Sequence, residues 1–154
     1  MNNVFSKILV PHDGSEISDR ALKEAIKFAE LFHSEIILLF VVDDRFSPPS
    51  TLLSFIKGRS LKEAKEELIH VLRTGAENML KDRLEDINKM KIPAKIEIDV
   101  GSPANVIIRI AKDTDIDIII IGSRSKKGPK YITALGSVSR SVSEMSQCPV
   151  MLVH

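Results

Sequence analysis

Cysteine is almost absent: Cys148 is the only one in 154 residues. A single thiol excludes an intramolecular disulfide and fits a reducing compartment. Long apolar runs are absent too. No window approaches the roughly eighteen apolar residues of a membrane-spanning helix. The opening MNNVFSKILVPHDGSE carries no apolar stretch with a cleavage site, so the expected location is the cytoplasm. Charge of one sign is missing as well. Lys and Arg total 22, Asp and Glu 21, and the net charge is +1. No global field therefore draws nucleic acid or an anionic membrane, and any electrostatic specificity has to be local.

Familiar chemical motifs are equally scarce. No Gly-Lys-Ser/Thr follows a strand as in a Walker loop, and no G-x-G-x-x-G fingerprint occurs. His12, His33, His70 and His154 are scattered without ligand spacing, so no metal site is assigned. A phospho-acceptor receiver domain needs several acidic residues after its first strand, whereas here Asp13 stands alone behind His12. Cys148 precedes Pro149 with no pairing histidine and reads as a small, partly buried residue rather than a nucleophile. No catalytic residue is assigned. The serines are weak unassisted nucleophiles, and efficient catalysis is not expected.

What the chain does hold is an alternation of elements. Its length suits one domain over 1–154 with a single substantial core. Lys7 to Pro11 has strand length and ends in the turn cluster Pro11-His12-Asp13-Gly14. Ser15 can cap the helix that follows, with Ala21, Leu22, Ala25, Ile26, Ala29 and Phe32 at helical spacing. Glu35 to Val42 is continuously apolar, as in a parallel strand covered on both faces. A surface excursion over 43–60, with Pro48-Pro49 and the apolar Leu52, Leu53, Phe55 and Ile56, leads to a long amphipathic helix from Leu61 to about Met90. Its stripe runs Leu61, Ala64, Leu68, Leu72, Ala76, Met79, Leu80, Leu84, Ile87. Ala94 to Val100 alternates strictly and belongs near a sheet edge. Gly101-Ser102-Pro103 starts another helix. Asp117 to Ile121 is a further buried strand, Ser137 to about Ser146 a short helix, and Val150 to Val153 a last strand. This order predicts a parallel sheet with helices on both faces and right-handed crossovers.

Ligands of such sheets sit outside the carboxyl ends of strands, where strand order reverses. The turn at His12-Asp13-Gly14 and the loop from Gly122 onward are the candidates. Gly122 ends the Ile118–Ile121 run, and its lack of a side chain lets a ligand approach the backbone and permits positive φ. A basic loop with Arg124, Lys126, Lys127 and Lys130 follows. Gly136-Ser137 then opens a helix whose first N–H groups lack partners and favour a phosphate. The hydroxyls of Ser137 and Ser139 can add hydrogen bonds. Against this stands an ordinary basic surface loop with Ser137 only capping its helix. Asp13 can accept two ribose hydroxyls or merely shape its turn. Val41 and Val42 can face a flat base or simply belong to the core.

Taken together, KILVPHDGSE, LLFVVDD, VGSP, DIIIIGSRS, GSVSRSV and CPVMLV resemble the universal stress protein family over nearly the full length. The resemblance implies an adenine nucleotide alpha hydrolase-like fold, a three-layer α/β/α sandwich with a five-stranded parallel sheet of order 3-2-1-4-5. It implies ATP, with or without Mg²⁺, bound between the first and fourth strands of a homodimer acting as a nucleotide-dependent switch in stress response. Asp13 would hold the ribose, with Val41 at the adenine and Pro11 shaping that side. Gly122, Ser123, Arg124, Ser125 and Gly128 would carry the loop. Gly136, Ser137, Val138 and Ser139 would take the phosphates. The dimer would form through Val150, Met151, Leu152 and Val153, an apolar edge open to pairing with its twin.

The chain departs from the family's glycine pattern in two places. Ser125 stands where the pattern has its second glycine, and fourteen positions separate Gly122 from Gly136, one more than the pattern gives. Two alternatives stay open: a dimeric, stress-related interaction module that binds no nucleotide, and a slow ATPase or phosphotransferase acting on Ser137 or Ser139.

Overall fold

The computed structural model describes residues 4–45, 58, 60–123 and 135–154. Its elements are β1 (Lys7–Pro11), α1 (Glu16–Phe32), β2 (Glu35–Val42), α2 (Leu61–Lys89), β3 (Ala94–Val100), α3 (Pro103–Asp113), β4 (Ile118–Gly122), α4 (Ser137–Met145) and β5 (Val150–Val153). The five strands form one sheet in the order β3-β2-β1-β4-β5, and every pairing is parallel. Of the excursion expected over 43–60, positions 46–57 and 59 lie outside the described residues. Among the described residues no helix is long and apolar enough to cross a membrane.

Why the apolar runs are continuous follows from the layers. Successive side chains of a strand point to opposite faces. Ile8, Val10, Ile36, Leu38, Ile118 and Ile120 pack under α1 and α2. Leu9, Ile37, Leu39, Ile119 and Ile121 pack under α3 and α4. Both faces of β1, β2 and β4 are thus covered, so polar residues have no place there. The alternating β3 pairs only with β2 and stays half-exposed along most of its length, as expected of an edge.

Local chemistry sets the helix starts. Ser15 accepts the N–H of Ser18 at the head of α1. Ser60 and Glu63 form a reciprocal capping box on α2. Ser102 occupies the N-cap position of α3 with Pro103 behind it, but its side chain makes no capping bond.

The long stripe drawn along α2 is buried only in its second half. Ala76, Leu80 and Ile87 are core, whereas Leu61 is 54% and Leu72 43% exposed. Length explains the difference. Twenty-nine helical residues span about 44 Å, whereas the eight residues of β2 span about 26 Å. The first turns of α2 therefore overshoot the sheet.

Candidate functional site

The site forms where strand order reverses, between β1 and β4. At their amino ends these strands are stitched together. Ile8 pairs with Ile118 and Leu9 with Ile119. One Asp117 carboxylate oxygen, Oδ2, accepts the N–H groups of Ser6 (2.8 Å) and Lys7 (2.9 Å), and Lys7 Nζ donates to the Thr114 carbonyl at 2.9 Å. At their carboxyl ends each strand follows its other neighbour. Pro11 stays opposite Leu39 of β2, and the His12 N–H donates to the Leu39 carbonyl at 2.8 Å. Gly122 stays opposite Val153 of β5, and the Ser123 N–H donates to the Val153 carbonyl at 2.8 Å. Pro11 has no N–H with which to bridge the gap. The seam parts into a cleft of about 230 Å³, with Pro11, His12, Asp13 and Ser18 on one side, Gly122, Gly136, Ser137, Val138 and Ser139 on the other, and Leu39, Val41, Pro103, Ile107 and Ile121 as an apolar wall.

Asp13 combines the two roles weighed for it. Its Oδ1 accepts the Ser15 N–H at 2.9 Å and the Ser18 hydroxyl at 2.7 Å, which shapes the turn. Gly14 completes that turn at φ 82°, a conformation that favours glycine. Asp13 also lines the cleft. Burial pushes this carboxyl up, but the hydrogen bonds from Ser15 and Ser18 outweigh it and hold Asp13 below its ordinary value.

Helix α4 supplies the opposite side. Gly136 is its N-cap at φ −61° and ψ 152°, without a side-chain cap. The N–H groups of Ser137, Val138 and Ser139 therefore have no acceptor within the helix, at the place where these residues line the cleft. Ser137 is exposed. Ser139 differs from expectation. It is buried, and its hydroxyl donates toward the Ser123 carbonyl (3.1 Å) and the Gly136 carbonyl (3.0 Å), so its backbone, not its hydroxyl, is what it can offer.

Two further expectations change their physical basis. Ser123 does not line the cleft. It is wholly buried, its hydroxyl meets Nδ1 of His154 at 2.8 Å, and its carbonyl accepts the Gly136 N–H at 2.8 Å. Its carbonyl anchors the N-terminus of α4. Gly122 lines the cleft but does not adopt a positive φ. A Cβ there would lie 3.0 Å from both the side chain and the backbone oxygen of Ile17, so the glycine admits the first turn of α1. Arg124, Ser125 and Gly128 lie outside the described residues.

A charged relay next to the cleft escaped the sequence reading. His12 is 3% exposed. Its Nδ1 accepts the Gly14 N–H at 3.1 Å, which leaves the proton on Nε2, donated to Asp19 Oδ1 at 2.9 Å. Arg83 of α2 grips the same carboxylate with Nε at 2.9 Å and Nη2 at 3.2 Å, and Nη1 donates to the Met79 carbonyl at 3.0 Å. Burial pushes the His12 imidazole below its ordinary value, and its hydrogen bond and attraction to Asp19 recover only part of that. Asp19 is pushed up by burial but held low overall by Arg83 and His12. Only His12, adjacent to Asp13, had a local signal; Asp19 and Arg83 are 64 positions apart. Leu39, Ile107 and Ile121 were legible as core and Pro103 as a helix start, but none as cleft wall. Among the described residues no group of three or more His, Cys, Asp or Glu could hold a metal ion.

At the sheet margin, β5 pairs with β4, and its four residues are all half-buried.

The model of the universal stress protein family matches residues 5–154 of this chain. A universal stress protein of Methanocaldococcus jannaschii is 35% identical over 158 aligned positions, covering 99% of this chain and 97% of the relative. The solved universal stress protein UspA from Lactobacillus plantarum superposes with a TM-score of 0.83 at 26% identity, covering 97% of this chain and 98% of that one. A universal stress protein from Archaeoglobus fulgidus in complex with dAMP shares the fold at 19% identity and a TM-score of 0.65, covering 98% and 99%.

Proposed function

Because the chain belongs to the universal stress protein family, we propose that it is a cytoplasmic, ATP-binding, nucleotide-dependent switch of the stress response, homodimeric through Val150–Val153. The observation that carries this reading is the parted β1–β4 seam. It sets the Asp13 carboxylate across one cleft from the first N–H groups of α4, which have no acceptor within that helix.

The donor set fits an adenine nucleotide. An apolar wall that includes Val41, Leu39 and Ile107 suits a flat base. The Asp13 carboxylate at the cleft can accept a ribose hydroxyl, and a hydrogen bond to a charged group is worth roughly 1.5–3 kcal/mol. The first turn of α4 favours phosphate through its N–H groups and its dipole. Chemistry beyond binding is not supported by the described lining. Both ring nitrogens of His12 are already engaged, so it is not a free general base beside a phosphate.

Thermal melting with and without ATP and Mg²⁺ tests the proposal. Ligand at a hundredfold excess over its Kd adds about 2.7 kcal/mol. Asp13→Asn is the informative variant, because its amide oxygen still accepts from Ser15 and Ser18 while the charge at the ribose is lost. No shift at millimolar ATP, or an equal shift in Asp13→Asn, overturns the reading. A dimeric interaction module without nucleotide is the competitor, motivated by Ser125 and the lengthened loop. Mass spectrometry of small molecules released on denaturing the purified protein separates the two.

A further inference from the structure

We propose that His12 is a proton-operated latch on the cleft: neutral, it holds the Gly14 turn that presents Asp13, and charged, it releases that turn and weakens ligand binding. The affinity side rests on the reading of the cleft as a nucleotide site; the latch itself does not.

The geometry carries the latch. Gly14 N–H donates to Nδ1 of His12 at 3.1 Å, so the latch is closed only while Nδ1 is unprotonated. A second proton on the ring places two donors face to face, and one has to move. The ring is the less mobile partner. Its Nε2 is bonded to Asp19 at 2.9 Å, and Asp19 is gripped by two nitrogens of Arg83, which ties the imidazole to both α1 and α2. The turn is the more mobile partner. Gly14 has the backbone freedom of glycine, and Asp13, one residue earlier, moves with it. The charged groups acting on the imidazole are Asp19 of α1, Arg83 of α2 and Asp13 of its own turn. Burial and Arg83 oppose the imidazolium, and the carboxylates favour it. The balance is a lowered affinity for the proton, so the latch is closed at neutral pH and opens on acidification.

The first arm of the test uses the protein without ligand. Across about pH 8 to pH 5, the backbone amide of Gly14 should follow the same titration as the His12 ring in two-dimensional NMR. Arg83→Gln removes a charge that opposes the imidazolium, so both signals should move together to higher pH. A Gly14 amide that ignores the His12 titration, or a midpoint unmoved in Arg83→Gln, overturns the latch. The second arm compares ATP affinity by calorimetry at about pH 7.5 and pH 5.5. The wild-type protein should lose about tenfold. In His12→Asn, the amide oxygen replaces Nδ1 as acceptor and does not titrate. The loss should shrink to that from the phosphate's own protonation, which is common to both proteins. An equal loss in His12→Asn overturns the proposal. Absence of ATP binding at the higher pH removes the nucleotide reading instead, and the NMR arm still decides the latch.

Discussion

The two ends of the β1–β4 seam are built from the same strands and serve opposite purposes. At the amino end, Ile8–Ile118 and Leu9–Ile119 pair, and Asp117 ties two further N–H groups across the junction. At the carboxyl end the same strands are held apart by β2 and β5. The stitched end places fully buried side chains and stabilises the fold. Among the described residues, the parted end leaves helix N–H groups and a carboxylate facing an opening, the candidate site. If the cleft is the nucleotide site proposed above, one seam separates stability from binding, and substitutions should separate them too.

The largest effect is expected at the stitched end. Ile119 is wholly buried, and Ile119→Ala should cost roughly 2–5 kcal/mol by urea denaturation, while the folded fraction keeps its ATP affinity. Gly122→Val comes next and blurs the comparison deliberately. Its side chain strikes Ile17, so melting without ligand should fall by about 1–3 kcal/mol; an unchanged melt would mean that α1 yields easily. Asp117→Ala removes the carboxylate that accepts two N–H groups and should cost about 1.5 kcal/mol, again without a change in affinity. Ser137→Pro is the mirror image. Proline suits the first helical position, and Gly136 already has the extended backbone that a following proline demands. One N–H donor disappears, so ATP affinity should fall about tenfold, with stability within about 0.5 kcal/mol.

The smallest effect concerns acid. His12 is depressed in the folded state below 6.5, so the unfolded chain takes up the proton first as pH falls. Stability is therefore full above about pH 6.5 and declines below it, as far as the folded titration of His12. Asp13, Asp19 and Asp99 are depressed below 3.8, and their contribution is present above that value and lost below it. Denaturation midpoints against pH should show two separate declines, with His12→Asn lacking the upper one.

The strands and helices were legible because both faces of β2 and β4 are covered, which leaves an uninterrupted apolar signal. The cleft's two polar sides were legible in part. Asp13 and Gly136-Ser137 stand at element ends, where turn and cap chemistry is local. Ser123 and Ser139 were not legible as scaffold. Their hydroxyls are committed to His154 and to carbonyls, and a serine looks the same in sequence whether it faces a ligand or a carbonyl. Gly122 does line the cleft, but the positive φ expected of it is not used; a further reason for glycine there is Ile17, over a hundred positions away.

The order of local patterns alone determined a parallel α/β sheet with strands and helices at these positions, because hydrophobic period and caps act within a few residues. The resemblance already implied that β1 and β4 adjoin; only the tertiary structure decided that they part after Leu9 and Ile119, and that His12, Asp19 and Arg83 meet behind the Asp13 turn. Those outcomes depend on which strand each backbone N–H finds and on charges brought together from α1 and α2. Distances of that kind exist only once the chain has folded.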